Sequence, residues 1–252
     1  MKNNSERARE LRRIRTMTTQ ENPDTIILCE TGDETTKAIM DAVAGKKKRL
    51  ICGTADKSLV TYGGDGFLFN RQYCRENNIT VLHSPVAVRG GTVVINAGDL
   101  TFNFVTADLQ SDWLGAVRQG ICEYLIGKGL NATVDNNDIL IDGKKVSGGN
   151  AGTQGGIRVE SIFIAVVSSA ELIEKICLKK RTKQPTSLKE YGVTAKEIQD
   201  AVINLTKRYM SELPKKQEKP HGKRTLRDVL GNVKVSQDEI RRLQGIKLRK
   251  GG

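Results

Sequence analysis

The stretch NNDILIDGKKVSGG, residues 136–149, is the part of the chain that decides the interpretation of the fold. Two short strand-like runs, residues 138–141 and 144–147, flank the pair Asp142-Gly143. An Asp-Gly pair between two such runs is a strong signal for a two-residue β-hairpin turn. The stretch therefore predicts a tight hairpin in the second half of the chain.

The register of this hairpin separates its two lysines. Because side chains alternate between the faces of a strand, Ile141 is expected to pair with Lys144 on one face and Leu140 with Lys145 on the other. One lysine is then held on a rigid strand beside apolar neighbours, just before a flexible Gly148-Gly149 segment. A fixed cation next to backbone amides that approach closely suits an anion or an acyl-phosphate. The alternative is an ordinary hairpin with two solvated lysines.

Strand and helix patterns extend on both sides of the hairpin. Strands are predicted at residues 25–29, 50–52, 58–62, 79–83, 92–96, 100–104 and 157–167. Helices are predicted at residues 69–77, 112–128, 170–177 and 194–210, and a further helix capped by Asp33 or Thr35 is predicted to end at Ala44. Runs of antiparallel strands with interspersed helices, and no regular βαβ alternation, predict an α+β fold with mixed or antiparallel sheets packed against helices.

The net charge of +12 is concentrated at the two ends of the 252-residue chain. Residues 1–16 carry six Lys/Arg and two Asp/Glu, and residues 207–252 carry fourteen and five. The middle is therefore near neutral, as expected of a globular body. This pattern predicts a basic N-terminal arm at 1–20, one domain at 21–210, and a basic linker with a short helical C-terminal appendage at 211–252.

Cysteine usage and hydropathy limit the compartment. The five cysteines are odd in number, scattered and without a CxxC pair, which favours a reducing compartment and argues against a disulfide framework or a zinc site. No apolar run approaches the ~20 residues that span a bilayer. The charged start of the chain has no apolar segment after it, unlike a secretory signal. We therefore expect a cytoplasmic protein without membrane contact.

Three segments together resemble the lipoate–protein ligase family of the biotin/lipoate ligase superfamily. The first is VRGGTVV at 88–94, with its continuation GDLTFNF at 98–104. The second is NDILIDGKKVSG at 137–148, which is the most specific of the three. The third begins with KQPTSL at 183–188 and runs to Tyr209. The resemblance covers roughly residues 25–210 and implies a biotin/lipoate-ligase-like catalytic domain.

The resemblance also implies an activity. Ligases of this family use ATP and Mg²⁺ to activate lipoate, or a similar small carboxylic acid, as an acyl-adenylate and then acylate a lysine of a carrier protein. By this resemblance Lys145 is the catalytic residue that contacts the carboxylate and the α-phosphate, and Arg89 is a second cation. The implied substrate- and nucleotide-binding residues are Arg89, Gly90, Gly91, Thr92, Asn137, Asp138, Ser147 and Gly148. The implied partner is a lipoyl-type carrier protein.

Several family residues are replaced in this chain. The first arginine of the family's pair is replaced by Ala87 or Val86, and its third glycine by Thr92. The family's histidine is replaced by Asn96 or Ile95, and its His-Gly-Thr-Leu run by VESI at residues 159–162. Loss of several polar contacts at once leaves a second function open. In that alternative the chain is a catalytically degenerate ligase fold that serves as a binding or structural subunit, with basic tails contacting nucleic acid or a larger assembly.

Two further features carry alternatives of their own. Cys177 resembles the acyl nucleophile of the octanoyltransferase branch of the superfamily, and the adjacent Lys179-Lys180 would lower its pKa; the alternative is a small core residue. Residues 207–252, with a charge of +9, are expected to bind an acidic partner, either nucleic acid or an acidic carrier domain. Their shortage of aromatic side chains weighs against recognition of single strands.

Overall fold

A computed structural model describes residues 25–63, 68–83, 92–167, 170–178 and 182–212. The chain divides into two units, Met1–Glu212 and Leu213–Gly252, and every described residue belongs to the first. The predicted N-terminal arm, the helical appendage and the Arg89-Gly90-Gly91 turn lie outside the described residues.

Eleven strands and five α-helices make up the described part of the chain. In chain order they are β1 Thr25–Cys29, α1 Gly32–Ala44, β2 Arg49–Thr54, β3 Leu59–Tyr62, α2 Arg71–Glu76, β4 Thr80–His83, β5 Thr92–Ile95, β6 Leu100–Thr106, α3 Trp113–Gly127, β7 Ala132–Asp135, β8 Asp138–Ile141, β9 Lys144–Lys145, β10 Ser147–Gln154, β11 Ile157–Ile164, α4 Ala170–Ile176 and α5 Ala195–Glu212. A short 3₁₀ helix at Leu188–Tyr191 precedes α5.

The strands form three sheets, which confirms the predicted α+β class. The main sheet has the order β1-β2-β6-β11-β10, the second β4-β3-β5 and the third β7-β8-β9. Only the β1–β2 and β3–β4 pairs are parallel among these ladders. The main sheet packs helices on both faces because its strands carry buried side chains on both sides, in two separate clusters.

The larger cluster lies between the main sheet, α3 and α5. Trp113, the single tryptophan of the chain, is fully buried and stacks on Phe104 with 5.4 Å between ring centroids. Its indole N–H donates to the hydroxyl of Thr206 at 2.9 Å, which fixes α5 against α3. The predicted Thr194/Glu197 capping box is confirmed: the backbone N–H of Thr194 donates to the Glu197 carboxylate, and the backbone N–H of Glu197 donates to the Thr194 hydroxyl.

The predicted hairpin is confirmed with its register. Leu140 pairs with Lys145 and Ile141 with Lys144. Asp142 and Gly143 have φ values of 50° and 74°, as a turn with two left-handed residues requires. The expected flexibility of Gly148-Gly149 is wrong, because both glycines belong to β10 and pair with β11.

Two details of the first βα unit also differ from prediction. The side chain of Thr31, rather than Asp33 or Thr35, caps α1 by accepting from the Glu34 N–H. The run at β1 was expected to be a buried strand, but β1 is an edge strand and Leu28 is 55 % exposed. No helix within the described residues is both long enough and apolar enough to cross a membrane.

The predicted strand at 157–167 ends early, at Ile164. The fully buried carboxylate of Asp99 causes this, since it accepts from the backbone N–H groups of Val166 and Val167 at 2.8 and 2.9 Å. The same carboxylate accepts from the N–H of Asn96. Asp99 thus holds the turn before β6 and the end of β11 together.

Candidate active site

A cleft of about 750 Å³ lies between the main sheet, α1 and the second sheet. Its floor is the part of the α1-facing side of β10, β11 and β6 that α1 leaves uncovered, and the cleft also includes Arg158 and Glu160 from the side that faces α3. Lys145, Asn137, Asp138, Gly148 and Thr92 line it, so five residues implied by the family resemblance are brought together here. A single cleft of this size is large enough for a small organic ligand.

Lys145 is positioned by two backbone segments. On one side it is paired with Leu140 in the hairpin. On the other, its N–H donates to the carbonyl of Gln184 at 2.7 Å and its carbonyl accepts from the N–H of Thr186 at 2.9 Å. The Lys145 ammonium lies next to Gly148, 3.5 Å from where a Cβ on that glycine would stand. The two-residue strand β9 therefore has a backbone neighbour on each side, as a central strand of a sheet does.

The carboxylate of Asp138 holds two lysines. Its Oδ1 lies 2.7 Å from Nζ of Lys145, and its Oδ2 lies 3.0 Å from Nζ of Lys183. Lys183 also reaches Oδ2 of Asp135 at 2.8 Å. Burial alone would lower the pKa of Lys183, but hydrogen bonds to Asp135 and Asp138 outweigh it and raise that pKa above its ordinary value. The Lys183 ammonium is therefore charged at neutral pH.

Two arginines that the sequence did not single out also line the cleft. Arg118 on α3 donates to the side-chain oxygen of Asn137 at 2.5 Å and to the carbonyl of Asn136. Arg158 on β11 donates to Glu160 at 3.2 Å. The Nε–H of each guanidinium is buried and has no hydrogen-bond partner in the described part of the chain. Buried unpaired donors on cations are suited to an anionic ligand.

Glu160 lies within the VESI run that replaces the family's His-Gly-Thr-Leu. It is fully buried, and its Oε2 accepts from the hydroxyl of Ser111 at 2.5 Å and from the backbone N–H of Trp113 at 3.2 Å. The carboxylate therefore occupies the N-terminus of α3, where the helix dipole and the free N–H groups favour a negative charge. Its Oε1 accepts from Arg158. This residue anchors α3 and orients one cleft arginine.

Ser147 and Cys177, both named as site candidates, lie away from the cleft lining. Ser147 is fully buried, and its hydroxyl accepts from the N–H of Ile139 at 2.8 Å. Cys177 forms a β-bridge with Phe69 and packs in the cluster that contains Cys74. Burial raises the pKa of the Cys74 thiol, as expected for a cysteine in an apolar cluster.

Two of the acidic residues that line the cleft, Asp138 and Glu160, are paired with cations. No cluster of three or more His, Cys, Asp or Glu side chains with metal-binding geometry occurs among the described residues. Mg²⁺ is often held by one or two carboxylates together with substrate phosphates, so a dedicated protein cage is not required for it.

Comparison with known proteins points in one direction. The sequence model of the family described as the lipoyl protein ligase A/B catalytic domain matches residues 34–210. No curated protein matches the chain at the level of sequence.

Three solved structures share the fold. The first is the bi-partite lipoate protein ligase of Thermoplasma acidophilum, which was studied with its E2 lipoyl domain. It is 17 % identical with a TM-score of 0.61, over 74 % of this chain and 82 % of that one. The lipoate-bound LipL1 of P. falciparum is 13 % identical with a TM-score of 0.61, over 77 % and 65 %. A lipoate-protein ligase A bound with ATP is 17 % identical with a TM-score of 0.60, over 75 % and 85 %.

Proposed function

The chain belongs to the lipoyl protein ligase A/B catalytic-domain family, and we propose that it is an active ligase. In this proposal the protein uses ATP to activate lipoate, octanoate or a related small carboxylic acid as an acyl-adenylate. It then transfers the acyl group to a lysine of a lipoyl-type carrier protein. The observation that carries the proposal is the position of Lys145, which is fixed by two backbone segments and lies at the cleft beside Gly148, with further cations along the same cleft.

The geometry suits adenylation. In that step a carboxylate oxygen attacks the α-phosphorus of ATP and pyrophosphate leaves, so negative charge gathers on phosphate oxygens. Preorganised cations stabilise such a transition state without a nucleophile on the enzyme. Lys145 would contact the acid and the α-phosphate, and the guanidinium groups of Arg118 and Arg158, which also line the cleft, would stabilise the remaining phosphate oxygens. Asn137 and Asp138 would contact the nucleotide or its Mg²⁺.

Lys183 has a supporting role in this mechanism. Before substrate binds, Lys145 is paired with Asp138. When Lys145 turns to a phosphate or carboxylate oxygen, Asp138 keeps Lys183 as its counter-ion. The carboxylate is therefore neutralised in both states, and the movement of Lys145 does not leave a half-buried charge unpaired. Lys183 is a positioning residue, since it acts through Asp138.

The second step needs a carrier. The amine of the carrier lysine attacks the acyl carbonyl carbon, AMP leaves, and an amide remains. The Thermoplasma acidophilum relative is a ligase studied with its E2 lipoyl domain, which supports a lipoyl-type domain as the acceptor here. The lipoate and the ATP bound in two other relatives support the acid and the nucleotide.

Pyrophosphate release tests the proposal. The protein is incubated with Mg²⁺-ATP and lipoate or octanoate, and Lys145→Gln is compared with Lys144→Gln. Lys144 is exposed and lies on the other face of the same hairpin, so it is the matched control. We expect acid-dependent release that falls by roughly a hundredfold or more in Lys145→Gln and is unchanged in Lys144→Gln. No release with any acid would contradict the proposal and favour a binding subunit.

A further inference from the structure

We propose that the cleft selects an acid that carries a hydrogen-bonding group, such as a hydroxyl or a cyclic urea, towards the far end of its chain. Asn103 of β6 would recognise that group. The inference rests on the proposed function, since it takes Lys145 to mark the position of the carboxylate. It goes further by naming a chemical class of acid and the residue that distinguishes it from a plain fatty acid.

The floor of the cleft is polar along one row of residues. Strand pairing places Asn150, Ser161 and Asn103 side by side across β10, β11 and β6. Because cross-strand partners share a face, their side chains emerge on the same side of the sheet, and all three line the cleft. The neighbouring row, two residues along each strand, runs from Gly148 through Phe163 to Thr101.

The Asn103 amide is half-satisfied within the protein. Its Oδ1 accepts from the Ser161 hydroxyl at 2.7 Å, and its Nδ2 has no partner within the described residues. A serine hydroxyl both donates and accepts, so the opposite orientation of the amide would leave the oxygen unpaired instead. In either orientation one polar atom of Asn103, a residue only 7 % exposed, is left for a ligand.

The distance from Lys145 fits a medium-length acid. The ammonium lies beside Gly148 on β10, and Asn103 lies on β6, two strands away. Two strand spacings amount to roughly 10 Å. Beyond β6 the row of Asn103 continues to Ile51 of β2, which is fully buried under α1. The neighbouring row ends at Gly53, where the hydroxyls of Thr35 and Thr101 fill the space that a side chain would need. An acid laid across the strands therefore meets Asn103 near the closed end of the cleft.

The opposite wall is apolar. Leu59, Leu82 and Val93 of the second sheet, together with Phe163, line the cleft and belong to one hydrophobic cluster. Methylene groups of the acid would pack against this wall while a polar group meets Asn103. A plain alkyl chain would cover the Asn103 amide without pairing it, and the cost of a desolvated unpaired polar atom disfavours such an acid.

Calorimetric binding without ATP tests the inference separately from catalysis. The probes are octanoate, ω-hydroxyoctanoate and biotin, which carries a cyclic urea. We expect at least one polar acid to bind roughly tenfold more tightly than octanoate. The difference should disappear in Asn103→Leu and persist in Thr106→Val, a buried threonine of the same strand that does not line the cleft. Asn103→Ala serves in its place if Asn103→Leu does not fold.

The outcomes separate the two proposals. Equal binding of all three acids, no binding of any, or a preference that survives Asn103→Leu overturns the inference. A variant that weakens binding of ATP instead of the polar acid also overturns it, because Asn103 would then contact the nucleotide. Selective binding without pyrophosphate release supports the inference and contradicts only the proposed function. Pyrophosphate release that is fastest with octanoate, without selective binding of a polar acid, supports the proposed function and contradicts the inference.

Discussion

Asp138→Asn is the substitution that tests the network around Lys145 most directly. Asparagine keeps the size of the side chain and one acceptor oxygen but removes the charge that holds two ammonium groups. The two ion pairs have N···O distances of 2.7 and 3.0 Å, and the Asp138 side chain is 17 % exposed. Each pair gains roughly 6 kcal/mol of Coulomb energy at an effective dielectric constant near 20, and desolvation offsets most of it.

The net loss is therefore about 1 kcal/mol for each pair. The Lys145 side chain is 34 % exposed and that of Lys183 20 %, so solvent screening weakens the Lys145–Asp138 ion pair more than the Lys183–Asp138 pair. We expect Asp138→Asn to lower the free energy of unfolding by about 2 kcal/mol in total. Pyrophosphate release should also fall, since Lys145 loses the contact that positions it.

Urea unfolding followed by Trp113 fluorescence measures this loss, because Trp113 is the single tryptophan and is fully buried. The control is Asp142→Asn, which changes an exposed carboxylate at the turn of the same hairpin. The control should unfold within about 0.5 kcal/mol of the parent protein. An unchanged urea midpoint for Asp138→Asn, at an unchanged slope, would refute the reasoning and show that the network is fully screened by water.

Three other substitutions give independent tests. Glu160→Gln should lower the free energy of unfolding in urea by about 2 kcal/mol, because an amide cannot accept from donors on every side as the buried carboxylate does; a loss under about 0.5 kcal/mol would contradict this. The hydrogen bond from Lys128 lowers the pKa of Glu197 to about 2. The stability that ionised Glu197 contributes is therefore present above the pKa of this residue in the unfolded chain, about 4.3, and is lost as the pH falls towards 2. Glu197→Gln should accordingly lower Tm at pH 7 with a difference that closes by pH 2, and a difference independent of pH would count against the assignment. Gly149→Ala should destabilise by about 1–3 kcal/mol, because its Cβ would stand 2.9 Å from one side-chain atom and 3.1 Å from a backbone oxygen. Gly148→Ala, whose Cβ would stand 3.5 Å from its nearest neighbour, is the stability control, and an equal effect of both would contradict the packing argument.

The sequence predicts most accurately where the signal is local. The Asp142-Gly143 turn and the alternation of side chains were enough for the register of the hairpin, since both depend on neighbouring residues only. The cap of α1 was missed because TGDETT holds several residues able to cap a helix, and only the structure shows that Thr31 does so. The exposure of β1 could not be predicted from an apolar run, because an edge position depends on which strands pair.

The polar lining of the cleft depends on contacts between distant segments. Arg118 and Arg158 come from a helix and a strand whose proximity follows from the order of the main sheet. A local signal existed only for Asn103, since it interrupts the apolar run of LTFNFV with a side chain that a strand core rarely buries. Lys183 stands in a basic run, but nothing in that run indicates that its partner is Asp138.

The pairing of Lys145 with residues 184–186 also has a consequence for the order of folding. The hairpin is a local structure that forms early, whereas the backbone groups of Lys145 find partners only after some forty more residues have been added to the chain. The segment that this contact closes contains β10, β11 and α4. During synthesis, the fold should therefore be largely built before the site is complete, and the cleft should acquire its lysine among the last events of folding.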